Sequence, residues 1–380
     1  MLAKLGECWL SKTEENITMR ISAETERQFL EAVFKAQRFS AKDGALLADT
    51  LVDADLRGIS SHGIQRLAWY TRMIKDHTLE PTNQPKILNE TPTSLLIDAN
   101  QSMGQIASAF TMNKLIEKTK QLGVSLAVIR NSNHFGTAGY YSRMACKAGL
   151  IGISTTNTRP LVVPTNATEA FLGSNALAFT FPADPHPFVF DGATAVVSSG
   201  KIQVLAKKGA QIPGDWAVDE HRQVLHDAQT VEDNLAKIAF SENRPGGGVL
   251  TLGGQQEVNS NYKGFGNSLI IELLTGILAQ GSLSADTNTG KHDFSQFFMT
   301  INPALFGDPE VLKANVTTMF DRIRHLKHLP GTKIMIPGDR EYRHYDENLV
   351  QGVSIDPQTL TEMQQVGAEF GVAVPAALKA

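Results

Sequence analysis

The segment LLIDA (Leu95–Ala99), a helical stretch over Gln105–Gln121 and the apolar run VSLAVIR (Val124–Arg130) together decide the fold class. Val124–Arg130 presents no polar face, which suits a strand buried between layers. A polar turn follows, then a helix from about Ala138 to Ala148 and a strand IGISTT (Ile151–Thr156). Apolar strands alternating with helices predict α/β organisation around a largely buried sheet. ALAFTF (Ala176–Phe181) and FVFD (Phe188–Asp191) add two strands across the Pro-rich DPHP, and Gly192-Ala193-Thr194 then opens a helix reaching Lys208. Gln211–Gln255, punctuated by RPGGG at Arg244–Gly248, reads as loops. Phe265–Gln280 reads as an apolar helix, the polar stretch to His292 as an excursion, and FSQFFMTI (Phe294–Ile301) as a further strand.

The two ends of the chain are helical. Ser22 caps a helix with Glu24 and Glu26 in its first turn, where carboxylates face the unpaired N–H groups. A second helix covers Ala41–Leu56, and Pro81, Pro85 and Pro92 mark a linker. Helical periodicity returns from Val311 to Leu329, and a turn at Pro337–Arg340 precedes a last pair of helices. The expected organisation is α/β (α+β). Residues 19–90 with 311–380 form a discontinuous helical domain, residues 91–310 a central sheet domain, and residues 1–18 an N-terminal extension.

The 380 residues carry 35 Lys and Arg against 39 Asp and Glu, a net charge of −4 with no basic cluster. That balance speaks against a nucleic-acid surface, which needs cations to neutralise phosphates. Cys8 and Cys146 are the only cysteines, which gives no disulfide framework and suits a reducing compartment. His325 and His328 have no third ligand beside them, so no metal site is expected. No apolar run reaches the length of a membrane span, and MLAKLGECWLSKTEENIT lacks a secretory apolar region. The cytoplasm is the expected compartment.

The chemistry centres on DADLRGISSHGIQRLAWYTRMIKD (Asp53–Asp76). One helix ends there, breaks at Gly58-Ile59-Ser60, and restarts near Ser61 with His62 in the first turn and Arg66 one turn later. Residues four apart share a helix face, so imidazole and guanidinium point into one space. The N-terminal dipole would lower the pKa of His62, and the fork of Arg66 suits a carboxylate. A capped surface helix is the alternative reading.

Other candidate loops follow strands, where ligand-binding segments of α/β sheets gather. Arg130–Gly136 surrounds His134 with small and polar residues; the alternative is a turn with a solvated His. Thr155–Pro160 offers Arg159 as an anion contact or as a surface side chain. Asp191-Gly192-Ala193 either presents free N–H groups to an anion or places Asp191 as a helix cap. Lys263, between Tyr262 and two glycines, approaches a phosphate or lies exposed in a loop. Pro337–Arg340 alone is a turn. No G-x-G-x-x-G follows a strand, and no Walker A, H-E-x-x-H or G-x-S-x-G occurs.

Taken in order, these pieces resemble one family. They are ADLRGISSHGIQR (Ala54–Arg66), SMGQ (Ser102–Gln105), AVIRNSNHFGTAGYY (Ala127–Tyr141), IGISTTNTRPLVVP (Ile151–Pro164) and LGSNALAF (Leu172–Phe179). FDGAT (Phe190–Thr194), Gly200-Lys201, YKGFG (Tyr262–Gly266), TINPALF (Thr300–Phe306) and IPGDR (Ile336–Arg340) continue the match. The chain resembles the malate/L-lactate dehydrogenase family of non-Rossmann NAD(P)-dependent oxidoreductases, whose members also act on ureidoglycolate, sulfolactate and diketogulonate.

The resemblance implies a hydride exchanged between NAD(P)H and C2 of a small 2-hydroxy or 2-keto carboxylate, malate or lactate being the first expectation and ureidoglycolate the rival. A binding or regulatory protein that kept the fold is the alternative of another class. By the same resemblance His62 is similar to a proton donor, His134 to a proton acceptor and Arg66 to the carboxylate clamp; Arg159, read above as an anion contact, is the second candidate for the substrate. Pro187, Phe188, Val189, Phe190, Asp191, Gly192, Ala193, Tyr262, Lys263, Gly338, Asp339 and Arg340 match stretches that hold the dinucleotide, and Asn157 and Thr158 are further candidates for holding it. NAD is the expected cofactor with NADP the alternative, and a homodimer the expected assembly. Gly173-Ser-Asn-Ala176 and Asp191-Gly-Ala-Thr194 depart from the usual G-T-N-P and D-M-A-T, and the loops over 234–258 and 282–292 are longer than usual.

Overall fold

The computed structural model describes residues 19–240, 244–287 and 293–375. The expected extension at residues 1–18 lies outside them, as do parts of both long loops. In chain order the helical opening comprises β1 (Met19–Ile21), α1 (Ala23–Ala36), α2 (Ala41–Leu56) and α3 (Leu67–Lys75). The sheet region follows with β2 (Lys86–Glu90), β3 (Ser94–Asp98), α4 (Gly104–Leu122), β4 (Val124–Ser132), α5 (Ala138–Lys147) and β5 (Ile151–Thr156). Next come β6 (Val162–Val163), β7 (Ala176–Phe181), β8 (Phe188–Ala193), α6 (Ser199–Lys207), β9 (Ala217–Val218), α7 (Ala228–Phe240) and β10 (Gly248–Leu250). The chain continues with α8 (Asn261–Glu272), β11 (Phe294–Ile301), α9 (Pro309–Arg324), α10 (Asp339–Gln351), β12 (Val353–Ile355) and α11 (Pro357–Phe370).

The main sheet has the order β2-β3-β4-β11-β5-β7-β8. Only β3 and β4 run parallel, joined by α4; every other neighbouring pair is antiparallel. β11 lies between β4 and β5, pairing Phe298 with Ala127 on one side and with Ser154 on the other. Its ring is fully buried against Phe135 and Tyr141, with centroids 6.4 Å and 5.8 Å away.

A second core unites the two chain ends. Phe29, Leu30, Val33 and Phe34 of α1, Leu47 and Leu51 of α2, and Tyr70 of α3 pack with Val353, Ile355, Met363 and Val366. The antiparallel pairing of β1 with β12 closes this unit, Met19 opposite Ile355. Gly352 makes the turn into β12 at φ 81°, where a Cβ would stand 2.5 Å from the Ile21 carbonyl oxygen. That combination admits only glycine. α9 takes a different partner: Phe320 packs with Ala183, Phe188 and Ile336 at the sheet edge.

Two local readings are corrected. Gln211–Gln255 is no loop: it contains β9, α7 and β10, and the parallel and antiparallel pairs of β10 with β6 and β9 build a small three-stranded sheet. Val231, Leu235 and Ile238 of α7 close its own core, and Asp227 caps the helix by accepting from the Thr230 N–H at 2.8 Å. The segment after Asp191 continues as strand to Ala193, and its helix begins only at Ser199. Among the described residues no helix is long and apolar enough to cross a membrane, and no group of three or more His, Cys, Asp or Glu could hold a metal ion.

Because Phe298 has no space to relax into, Phe298→Ala is expected to lower the unfolding free energy by about 3–5 kcal/mol. Denaturant titration with an unchanged slope checks this; a loss below about 1 kcal/mol would show that β11 is not the packing centre.

Candidate active site

α2 ends where the sequence demands it. Gly58 takes φ 73° and Ile59 turns back to donate to the Ala54 carbonyl at 2.8 Å. The chain then forms two successive 3-10 turns, Ser60–His62 and Ile64–Arg66, before α3. The expected helix start at Ser61 is thus corrected. His62 and Arg66 face one cleft because of these tight turns rather than a shared α-helical face, and no helix dipole acts on His62.

The His62 ring stacks on His134 with centroids 5.3 Å apart. His134 arrives on the loop after β4, and that loop is tightly built. The Gly104 N–H donates to Asn133 Oδ1 at 2.9 Å, Asn133 Nδ2 donates to the Ser102 carbonyl at 2.8 Å, and Gln296 Nε2 of β11 donates to the Asn133 carbonyl at 3.1 Å. Gly104 is obligatory there, since a Cβ would lie 2.4 Å from the Asn133 oxygen.

Tyr70, one turn of α3 beyond Arg66, sets the state of His134. Gln105 Nε2 donates to the Tyr70 oxygen at 3.0 Å, so the Tyr70 hydroxyl donates to His134 Nδ1 at 2.7 Å. The Gly136 N–H approaches the same nitrogen at 3.4 Å. With donors directed at Nδ1, the proton of neutral His134 resides on Nε2. Ser61 Oγ stands 2.9 Å from Nδ1 of His62.

Trp69 organises the cations. The guanidinium of Arg66 lies 5.6 Å from its ring centroid and that of Arg159 5.3 Å, while His134 meets it edge-on at 5.1 Å. Arg66 spends its Nε on the Ser61 carbonyl, leaving its two terminal nitrogens for a ligand. His62 and His134 are half-buried residues, and the surrounding protein strips most of the water from their rings. Burial first, and the Arg66 charge second, push the pKa of His62 down to about 3. Burial, then His62, Arg66 and Arg159, lower that of His134 well below its ordinary value. Burial and the nearby Arg66 lower Arg159 to about 10, which leaves it a cation near neutrality.

The dinucleotide candidates gather along β8. Val189 donates its N–H to the Pro337 carbonyl at 3.4 Å, and Gly338, at φ 100°, packs so closely that a Cβ would lie 3.2 Å from the Val189 oxygen. This places Pro187–Val189 beside Gly338, Asp339 and Arg340. At the other end, Leu252 donates to the Thr194 carbonyl, and Gly264 of α8 lies against the Leu252 backbone. Tyr262 and Lys263 stand on the first turn of the same helix, with Lys263 Nζ 5.9 Å from the Tyr262 centroid. Beyond it, Gly200 lies against Ser61, its notional Cβ 3.1 Å from that of Ser61. β8 is an edge strand about 17 Å long at roughly 3.4 Å per residue, with Phe190 exposed and Gly192 offering bare backbone. Such an edge fits an extended dinucleotide, with a cation near one end and a helix start at the other.

Several expected contacts are otherwise engaged. Asn157 is fully buried and spends its side chain on the Ser282 carbonyl at 2.9 Å and the Ser295 N–H at 2.8 Å. Thr158 Oγ1 accepts from the Ser174 N–H at 2.9 Å. Asp191 caps no helix of its own: it accepts from the Gly139 N–H at 2.7 Å, locking the start of α5 to β8. Asp339 accepts from Arg324 at 2.8 Å and from the Ile336 N–H at 2.9 Å. Tyr70, Trp69 and Gln105 were not singled out in the sequence, although Tyr70 repeats the four-residue spacing of His62 and Arg66.

A family model described as malate/L-lactate dehydrogenase matches residues 21–364. The chain belongs to the malate/L-lactate dehydrogenase family. Malate dehydrogenase of Pyrococcus abyssi is 36% identical over 335 residues, covering 87% of this chain and 89% of the relative. L-sulfolactate dehydrogenase of Methanocaldococcus jannaschii is 32% identical over 361 residues, 93% of this chain and 98% of the relative. The crystal structure of malate dehydrogenase from Entamoeba histolytica superposes with a TM-score of 0.89 at 31% identity, covering 94% of this chain and 99% of the other. The protein is thus an oxidoreductase of hydroxy acids that works with a nicotinamide cofactor, and the expected fold class stands.

The histidines give this enzyme a signature in acid. Both stay neutral in the fold, whereas in the unfolded chain they titrate near 6.5. Their contribution to stability is therefore complete above about pH 6.5 and is lost as pH falls towards 3. Between pH 7 and 5 the wild type is expected to lose more unfolding free energy than His62→Gln. Parallel pH profiles by chemical denaturation would contradict this.

Proposed function

We propose that the enzyme transfers a hydride between NAD(H) and C2 of a 2-oxo or 2-hydroxy dicarboxylate of the malate type. The paired guanidiniums of Arg66 and Arg159 on Trp69, next to two neutral imidazoles, carry this reading. One carboxylate satisfies one guanidinium. A second guanidinium on the same tryptophan ring suits a second negative group on the substrate. Ureidoglycolate brings one carboxylate and a neutral ureido group, and lactate one carboxylate only. The relatives named for malate and sulfolactate act on acids with two negative groups.

In this reading the nicotinamide supplies or accepts the hydride. Arg66, with its terminal nitrogens free, grips the carboxylate next to the reacting carbon, and Arg159 takes the distal one. His134, fixed with its proton on Nε2 by Tyr70 and Gln105, gives that proton to the C2 oxygen in reduction while its Nδ1 takes the Tyr70 hydroxyl proton, so the ring stays neutral and the charge comes to rest on the Tyr70 oxygen beneath the Gln105 amide; oxidation runs the relay in reverse. His62 packs on the other face of the ring and narrows the cleft. Gly200 borders Ser61, so the nicotinamide end belongs at Ala193–Gly200 and the adenosine end at Pro187 and Gly338–Arg340. NAD is the cofactor of this reading; exposed Arg340 beside Gly338 is what NADP would use. The exposed Leu269, Ile270, Leu273, Ile277 and Leu278 along α8 and its continuation support a homodimer through this face. The expected compartment remains the cytoplasm.

Initial rates of NADH oxidation should favour oxaloacetate over pyruvate by at least about 100-fold in kcat/KM. Arg159→Leu is expected to cost about 10- to 100-fold in kcat/KM for oxaloacetate, the worth of one charged hydrogen bond of about 1.5–3 kcal/mol, and to leave pyruvate and NADH affinity nearly unchanged. Equal rates with both acids would overturn the dicarboxylate. Tyr70→Phe should lower kcat about 10- to 100-fold, as loss of a supporting hydrogen bond does. An unaltered kcat would remove His134 as the proton donor.

A further inference from the structure

We propose that Asp55 is a positioning residue: its buried carboxylate, backed by Glu26, pins the Gly63-Ile64 link between His62 and Arg66. The inference rests on the reading above that these two side chains face the substrate. It concerns residues remote from any ligand.

Asp55 sits on the last turn of α2, only 6% exposed, and accepts from the Ile64 N–H at 2.6 Å. The fit is close: a Cβ on Gly63 would lie 2.0 Å from the carboxyl carbon and from each oxygen. Asn348 of α10 anchors the same turn from behind, donating to the Asp55 carbonyl at 3.3 Å and the Leu56 carbonyl at 3.0 Å. The histidine loop therefore has two ties. Arg66 closes it from inside through the Ser61 carbonyl, and Asp55 holds it from beneath through Ile64.

Glu26 of α1 completes the arrangement. It is wholly buried, and no N–H or hydroxyl donates to either of its oxygens. A hydrogen bond from it to Asp55 therefore needs a proton of its own. Burial, and then the Asp55 charge, raise the Glu26 pKa; burial likewise raises Asp55 to about 7. Arg27 beside Glu26 and Asp356 at the start of α11 are the other charges acting on the pair. A protonated Glu26 leaves Asp55 free to point its oxygen at Ile64. A buried acid pair is costly unless each member is bonded. A neutral core would have been easier to build, and this one spends its bond on the turn that carries the active-site side chains.

Asp55→Asn keeps the shape and the carbonyl acceptor for Ile64, while its amide can donate to Glu26. Asp55→Ala and Asp55→Ser keep the cavity but cannot reach Ile64. The Asn variant should stay within about threefold of wild type in kcat/KM for oxaloacetate with NADH. The Ala and Ser variants, assayed on folded fractions, should lose about 10- to 100-fold in kcat with a raised oxo-acid KM and an unchanged NADH dissociation constant. Imidazole 15N NMR provides a readout that needs no turnover. The His62 and His134 ring signals should move in the Ala or Ser variant and return in the Asn variant. Rings unmoved in a folded Ala or Ser variant would overturn the proposal, as would equal loss in the Asn and Ser variants or a parallel loss of NADH binding. If wild type fails to turn over oxaloacetate while the ring signals respond as stated, the substrate reading fails and the positioning role stands.

Discussion

The catalytic end of this molecule depends on one strand, β11, lying between β4 and β5. Both neighbours pair antiparallel to it, so they run in the same direction and end on the same edge. At that edge Ser132 lies opposite Phe294 and Thr156 opposite Gln296. The loops that follow, one carrying His134 and the other Arg159, therefore emerge side by side although 25 residues separate them in the chain. Gln296 reinforces the arrangement by reaching back to the Asn133 carbonyl. Had β11 paired elsewhere, neither loop would meet the helical half of the molecule.

That half brings what the sheet lacks. Packing of α1 and α2 against the C-terminal helices fixes the Gly58–Arg66 turns over the sheet edge, and α3 then delivers Trp69 and Tyr70 into the cleft. Trp69 is an efficient organiser of like charges. Its ring face attracts each guanidinium, so Arg66 and Arg159 approach a common space. Burial first, and the repulsion they retain after it, lower the pKa values of both imidazoles and of Arg159.

Much of this was legible from local pattern. Val124–Arg130, Ile151–Thr156 and Phe294–Ile301 announce themselves as strands because burial on both faces removes every polar alternation. The break at Gly58 is equally plain, and SHG, NHFG and NTRP carry His62, His134 and Arg159, which the fold gathers around His134 and Trp69. What was illegible depends on partners distant in sequence. Nothing in FSQFFMTI says that it pairs between β4 and β5. Asp191 looks like a cap for its own following residues, yet the N–H it satisfies belongs to Gly139, 52 positions earlier. Asn157 stands in a ligand-like loop, but Ser282 and Ser295 use up its amide. The small sheet escaped for another reason: β6, β9 and β10 are two or three residues long, too short for a period to show. The α7 spacing of Val231, Leu235 and Ile238 and its Asp227 cap were present and were outweighed by the surrounding glycines.

The electrostatics of the cleft explain why substrate charge and proton transfer belong together on the proposed reading. With two guanidiniums nearby and little water, an imidazolium at His62 or His134 is disfavoured. A dianionic acid offsets the contributions of Arg66 and Arg159 to that penalty, because each of its carboxylates lies against one guanidinium. The same binding event that neutralises Arg66 and Arg159 therefore raises the proton affinity of His134. A monoanion leaves the Arg159 contribution in place and the imidazole still starved of protons. Discrimination between the two kinds of acid then appears in the chemical step as well as in binding, since the proton needed at the C2 oxygen is held where only the doubly charged substrate makes its replacement favourable.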